Sequence, residues 1–198
     1  MASKSKDDIL AAVRRQRVPE TPLPSLDGPW IAYPDRAAQF AAMLEFVGGC
    51  CVRVEGVEQL NAQLAELPVW NDAKKTVSLV EGVGRSTFDL AAVADPHELE
   101  DVDFAILPGQ FGVAENGAVW IDDRNLRHRV LPFIVQHLAL VVRAGELIDT
   151  MHAAYERLRF DGPGFGVFIS GPSKTADIEQ SLVIGAHGPR SLTVFLMV

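Results

Sequence analysis

Residues 34–80 read PDRAAQFAAMLEFVGGCCVRVEGVEQLNAQLAELPVWNDAKKTVSLV, and this stretch decides the fold class. Asp35 is a helix-capping residue, and Phe40, Met43, Leu44 and Val47 then recur on one helical face until Gly48-Gly49 stops the run. Cys51 to Val54 follows as a short strand. Val57 to Leu67 is a second amphipathic helix, showing Leu60, Leu64 and Leu67, and Thr76 to Val80 is another strand. Helices alternating with short strands across brief connections predict an α/β layer with parallel strands.

Working outward, residues 1–34 form an arm. Ile9, Leu10 and Val13 recur at helical spacing between Asp7 and Arg17. The stretch from Val18 to Pro34 then holds Pro19, Pro22, Pro24, Pro29 and Pro34, which excludes a helix or a central strand because proline has no N–H to donate. The arm is expected to pack on the domain or on a second subunit, the latter giving a homo-oligomer.

Residues 35–198 are read as one domain. Phe104 to Leu107, Ala118 to Ile121 and Leu138 to Val142 are brief apolar runs, hence strands. Glu146 to Arg159 has the spacing of a long helix. After the Asp161-Gly-Pro-Gly164 turn, Phe165 to Ile169 reads as a buried strand, Thr175 to Ile184 as a helix ended by Gly185, and Leu192 to Met197 as a last strand. The predicted architecture is a single three-layer α/β domain with a mostly parallel sheet.

Composition bounds the function. With 18 basic against 26 acidic residues, the net charge is −8, a field that repels nucleic acid and anionic lipid. No apolar run is long enough for a membrane span, and nothing near Met1 reads as a secretory signal, so a cytoplasmic protein is expected. The two cysteines, Cys50 and Cys51, are neighbours. They can supply neither a disulfide framework nor a cluster ligand set, and read as small apolar residues at the start of a buried strand. Redox chemistry would therefore be carried by a partner. The five histidines show no HxH or HxxxH pair, so no metal site is expected.

Two segments carry chemistry. Ser170-Gly-Pro-Ser-Lys-Thr175 lies between a predicted strand and a predicted helix, where α/β sheets gather ligands. Gly171 permits a close turn, Ser173 or Thr175 can cap the helix, and Lys174 with free amides suits a phosphate or carboxylate. The plainer alternative is that Ser173 and Thr175 only satisfy the helix start. Asp177 and Glu179 then interact with the helix dipole or bind ligand hydroxyls. The second segment is Glu115-Asn116-Gly117, either a hairpin turn beside an exposed Glu115 or a carboxylate in a partly dry crevice able to act as base or nucleophile. His137, among apolar residues, reads as a core histidine or a ligand-binding one. His187 falls at the far end of the predicted helix, roughly 15 Å from the loop.

Gly171-Pro-Ser-Lys-Thr-Ala-Asp-Ile-Glu179, followed by Leu182-Val-Ile-Gly-Ala-His-Gly-Pro189, resembles the closing signature of the LutC/YkgG lactate-utilisation family of LUD-domain proteins. Glu115-Asn-Gly117 and Leu131-Pro…His137 resemble two further family blocks in the same order, although the family more often has threonine at the Asn116 position. The resemblance implies a NagB/RpiA/CoA-transferase-like fold. It also implies a part in oxidising L-lactate to pyruvate beside a Cys-rich subunit and an iron–sulfur subunit, with the clusters on those partners. In this chain the implied ligand is a small anion near Gly171, Ser173, Lys174 and Thr175, with Glu115, Asn116, His137 and His187 nearby. Glu-Asn-Gly also resembles the motif of class I CoA-transferases, which would make Glu115 the nucleophile of a stand-alone acyl-transferring or sugar-phosphate-isomerising enzyme. A purely structural assembly partner is the third alternative.

Overall fold

The computed structural model describes residues 2–16, 21–22, 24–25, 27–124, 126–159, 164–178 and 181–198. Pro19, residues 161–163 of the expected turn, and Glu179 lie outside them. The arm contains helix α1 (Ala2–Arg15), on which Ile9, Leu10 and Val13 are exposed. Further along, Trp30 stacks on His152, with ring centroids 3.8 Å apart. The Tyr33 N–H donates to Asp149 Oδ1 (2.9 Å). The end of the arm thus packs on its own domain.

The domain begins as its local signals dictate. Asp35 accepts from the Ala38 N–H (2.9 Å) and starts α2 (Arg36–Phe46), whose Phe40 and Leu44 are fully buried. Then come β1 (Cys50–Val54), α3 (Val57–Ala65), α4 (Pro68–Asn71) and β2 (Thr76–Ser78). Pro68 takes the first turn of α4, where its missing N–H costs nothing, and so separates α3 from α4. After two single 3₁₀ turns come β3 (Phe104–Pro108), β4 (Phe111–Val113), β5 (Ala118–Asp122), α5 (Leu131–Ile134) and β6 (His137–Arg143). The chain ends with β7 (Leu147–Ile148), α6 (Met151–Arg157), β8 (Gly166–Ile169), β9 (Lys174–Ile178), β10 (Ser181–Ile184) and β11 (Ser191–Met197).

Five strands form a parallel sheet in the order β1-β11-β6-β3-β2. Both faces are covered, as parallel sheets require. Alternation along each strand divides the core in two. Leu138, Leu140, Val142, Leu192, Val194 and Leu196 face α2 and a second sheet. Ala139, Val141 and Phe195 face α3 and α4, against Leu60, Leu64 and Trp70. The second sheet has the order β7-β4-β5-β8 and is mainly antiparallel. The result is a three-layer α/β domain: α3 and α4, the parallel sheet, and α2 with the second sheet.

Two predicted helices are corrected. Over 146–159 only α6 is an α-helix, capped by Thr150. Leu147 and Ile148 instead pair with Gly112 and Val113 as strand β7, because the edge of β4 needs a partner more than two residues need another helical turn. Over 175–184 there is no helix at all. β9 and β10 pair as an antiparallel hairpin, with Val183 opposite Thr175 and Ile184 opposite Lys174. The β-branched Thr175, Ile178, Val183 and Ile184 suit a strand better than a helix. Phe165–Ile169 is the expected strand from Gly166 onward, but it belongs to the antiparallel sheet. No helix among the described residues is long and apolar enough to cross a membrane.

Candidate functional site

The loop between β8 and β9 is fixed from two sides. Ser170 Oγ donates to the Asn116 carbonyl (2.7 Å), tying the loop to the β4–β5 turn. Gly171 has φ +76°, and a Cβ there would stand 2.5 Å from the Val47 carbonyl oxygen at the end of α2, so a side chain is excluded. Beyond Pro172, the Ser173 N–H donates to the Pro189 carbonyl (2.9 Å), and the Gly185 N–H donates to the Ser173 carbonyl (2.8 Å). The second bond closes the neck of the β9–β10 hairpin. It also folds residues 185–189 back alongside Ser173, with a Cβ at Gly188 only 3.0 Å from Ser173 Cβ.

Between these segments lies an open cleft of about 310 Å³. Gly171, Ser173, Lys174 and His187, all singled out in the sequence, line it together. The helix that would hold His187 roughly 15 Å away is replaced by a hairpin that returns the chain to its start, so His187 joins the loop within a single chain. The remaining walls are apolar. Pro132 and Phe133 come from α5, Leu138 and Leu192 from the starts of β6 and β11, and Val167 and Ile169 from β8. Lys174 and His187 are the ionisable side chains among the described lining residues, and no carboxylate is among them. The cleft is therefore apolar with a basic pole at one end, inside a chain of net charge −8.

No helix N-terminus forms a cradle of amides here, since residues 174–178 are a strand. The anion-holding groups are side chains. Thr175 and Asp177 lie on β9 beyond the cleft's described lining, with Thr175 half-buried.

Glu115 does not open onto this cleft. It is exposed at the β4–β5 turn, where its Oε2 accepts from the Met151 N–H (2.8 Å) at the start of α6 and its own N–H donates to the Asp149 carbonyl (2.9 Å). Asn116 Oδ1 accepts from the Ala118 N–H (3.1 Å), the local closure typical of an asparagine turn. Beside them, Asp149 accepts from Arg36 Nε (3.0 Å), and the two charges pair at 2.7 Å. The hydrogen bonds from Arg36 and the Tyr33 amide hold the Asp149 carboxyl below its ordinary range. This polar cluster fastens the arm, the hairpin turn and α6 to one another.

His137 lies on the other face of the sheet. Leu138 points into the cleft side, so its neighbour points toward α3 and α4, and His137 sits 6.3 Å from the Phe104 ring. Its Nδ1 is 2.8 Å from Ser191 Oγ. Burial, reinforced by the positive charge of Arg190, lowers its pKa below the ordinary 6.5. The unfolded chain then binds a proton below that value more readily than the native one, so His137 subtracts stability as pH falls through the histidine range. His137→Gln is expected to flatten this loss. Urea unfolding from about pH 7 to about pH 5 checks it: the variant gains on wild type as pH falls, and a pH-independent difference contradicts the assignment.

The cysteines are not a reactive pair. Cys50 is exposed rather than buried, and burial pushes the Cys51 thiol up to about 11. Among the described residues no group of His, Cys, Asp or Glu is placed to hold a metal ion. Sequence reasoning missed the walls, because Phe133, Leu138, Val167 and Leu192 read simply as core. The one available signal was proline, with Pro172 and Pro189 flanking the Ser-Lys-Thr loop and the histidine turn.

The model of the LUD domain matches residues 83–197, more than half of the chain and all of the cleft. The chain belongs to the LUD domain family. Similar curated proteins are the lactate utilization protein C of Geobacillus kaustophilus, 29% identical over 134 residues, and that of Halalkalibacterium halodurans, 37% identical over 100 residues. These alignments cover 65% and 46% of this LUD domain chain, and 49% and 42% of the relatives. The chain spans about half the length of the curated relatives it matches. A crystal structure of a DUF162 family protein from Deinococcus radiodurans superposes with a TM-score of 0.60 at 19% identity, covering 85% of this chain and 99% of that one. That likeness shows a shared fold.

Proposed function

We propose that this LUD domain protein is a lactate utilization protein C-like subunit. It supports oxidation of L-lactate to pyruvate together with iron–sulfur and Cys-rich partner subunits, and its cleft binds an organic anion. The observation that carries the reading is the cleft itself. The most similar stretch of the chain gathers Ser173, Lys174 and His187 at one end of an apolar pocket, inside the region matched to the LUD domain. The Lys174 ammonium attracts a carboxylate, Ser173 offers a hydroxyl, and the His187 imidazole adds a second nitrogen partner. The two electrons that leave lactate pass to clusters on the partners. The carboxylate at 115 has no chemical part in this reading, because it lines no part of the cleft and instead holds the Met151 amide.

The test is genetic and biochemical together. Deleting the gene is expected to stop growth on L-lactate while growth on glucose continues. A Lys174→Ala/His187→Ala double variant is expected to restore lactate growth at roughly a tenth of the wild-type rate or less, for a loss of two charge-assisted contacts. Glu115→Gln restores it fully. Affinity purification from lactate-grown cells should recover an iron–sulfur protein. Normal lactate growth of the deletion strain, or purification without such a protein, would overturn the proposal.

A further inference from the structure

We infer that the ligand of this cleft is not a three-carbon acid but a carboxylate bearing a flat apolar body of aromatic size. The inference rests on the reading that Lys174 and His187 hold an anion, and adds the nature of what lies behind the charge.

Three observations carry it. The first is room. At about 310 Å³ the cleft would hold some ten waters at their liquid volume of about 30 Å³ each, and it falls in the size class of pockets that enclose ligands well beyond six heavy atoms. A lactate at the basic end would leave most of it wet. The second is the lack of hydrogen-bonding groups away from that end. Pro132, Pro172 and Pro189 have no N–H to offer, and the Ser173 N–H and carbonyl are already engaged by Pro189 and Gly185. The Leu138 and Leu192 backbones are paired with each other in the parallel sheet. A polar body such as a sugar would find few partners there, and polar groups buried without partners are costly. The third is Phe133. It stays 39% exposed on α5 while its ring meets Phe165 edge-on, at 6.3 Å and 85°. An apolar body in the cleft would cover this ring and recover the aromatic area now left in water.

Head and body can be separated with three probes followed by NMR titration of the full chain: 2-naphthoate, 2-naphthalenemethanol and L-lactate. Wild type is expected to bind 2-naphthoate roughly 30-fold more tightly than L-lactate and roughly tenfold more tightly than the alcohol. Lys174→Ala should weaken 2-naphthoate roughly tenfold and leave the alcohol unchanged. Phe133→Ala should weaken 2-naphthoate roughly fivefold and leave L-lactate unchanged. Both side chains are exposed, so neither variant threatens folding. If L-lactate binds as tightly as 2-naphthoate in a Lys174-dependent way, the apolar body is refuted and the anion site stands. If the alcohol binds as well as the acid and Lys174→Ala changes nothing, the anion site itself is refuted. Failure of both acids to shift any resonance of the cleft refutes the two together.

Discussion

Removing residues 191–198 is expected to leave no cooperatively folded protein, although these are only the last residues of the chain. They form β11, which lies between β1 and β6 and supplies hydrogen bonds to both. Leu192, Val194, Phe195 and Leu196 are each at most 1% exposed. Burial of such a side chain contributes about 1.5–3 kcal/mol, so the four together contribute about 6–12 kcal/mol, close to the whole stability of a domain. The truncation would also leave two parallel edges facing each other across an empty slot, a template for aggregation. Even Phe195→Ala alone should cost about 3–5 kcal/mol. By contrast, removing residues 1–16 takes away α1, whose apolar side chains are already exposed, and the melting temperature should hardly move. Soluble yield, far-UV circular dichroism and a thermal melt of the two truncations decide this. A cooperative melt without β11 contradicts the topology.

The second large effect is expected from one methyl group. Gly117→Ala should cost about 3 kcal/mol or more, combining a left-handed backbone with overpacking against a rigid neighbour. Gly117 has φ +65°, and a Cβ there would stand 2.7 Å from the Leu44 nitrogen and 2.9 Å from its Cα. Those are backbone atoms in the middle of α2, so no rotamer change relieves the clash. The damage should spread to the cleft, because the same turn holds Ser170 through the Asn116 carbonyl and thereby the loop that carries Ser173 and Lys174. Gly145→Ala is the matching control. Nothing lies within 4 Å of its added Cβ, and a change within about 0.5 kcal/mol is expected. Urea midpoints of the two variants measure the contrast, and equal midpoints would mean that the hairpin does not pack on α2 as described.

Some of this was legible residue by residue. Asp35 as a cap, Gly48 as a stop, the apolar stripe of α2 and the period-two runs of β3, β5, β6 and β11 all came through within a residue or two. Glu115-Asn-Gly117 formed the hairpin turn that Asn-Gly favours. The Ser-Lys-Thr loop was recognisable as a place for an anion, but for a reason the structure replaces: side chains converge there, and no helix dipole does. The stretch 175–184 misled because its apolar residues fit either period, and Leu147-Ile148 misled because it looked like one more helical turn.

What the sequence determined by itself is everything governed by energies between residues a few positions apart: caps, stops, turns and the alternation of each strand. Tertiary structure alone decided that the last strand enters the middle of the sheet, that β7 completes the edge of β4, and that His187 rather than His137 stands beside Lys174. These depend on contacts between segments tens of residues apart. Their free energy exists only once both partners are in place, and no local pattern can record it.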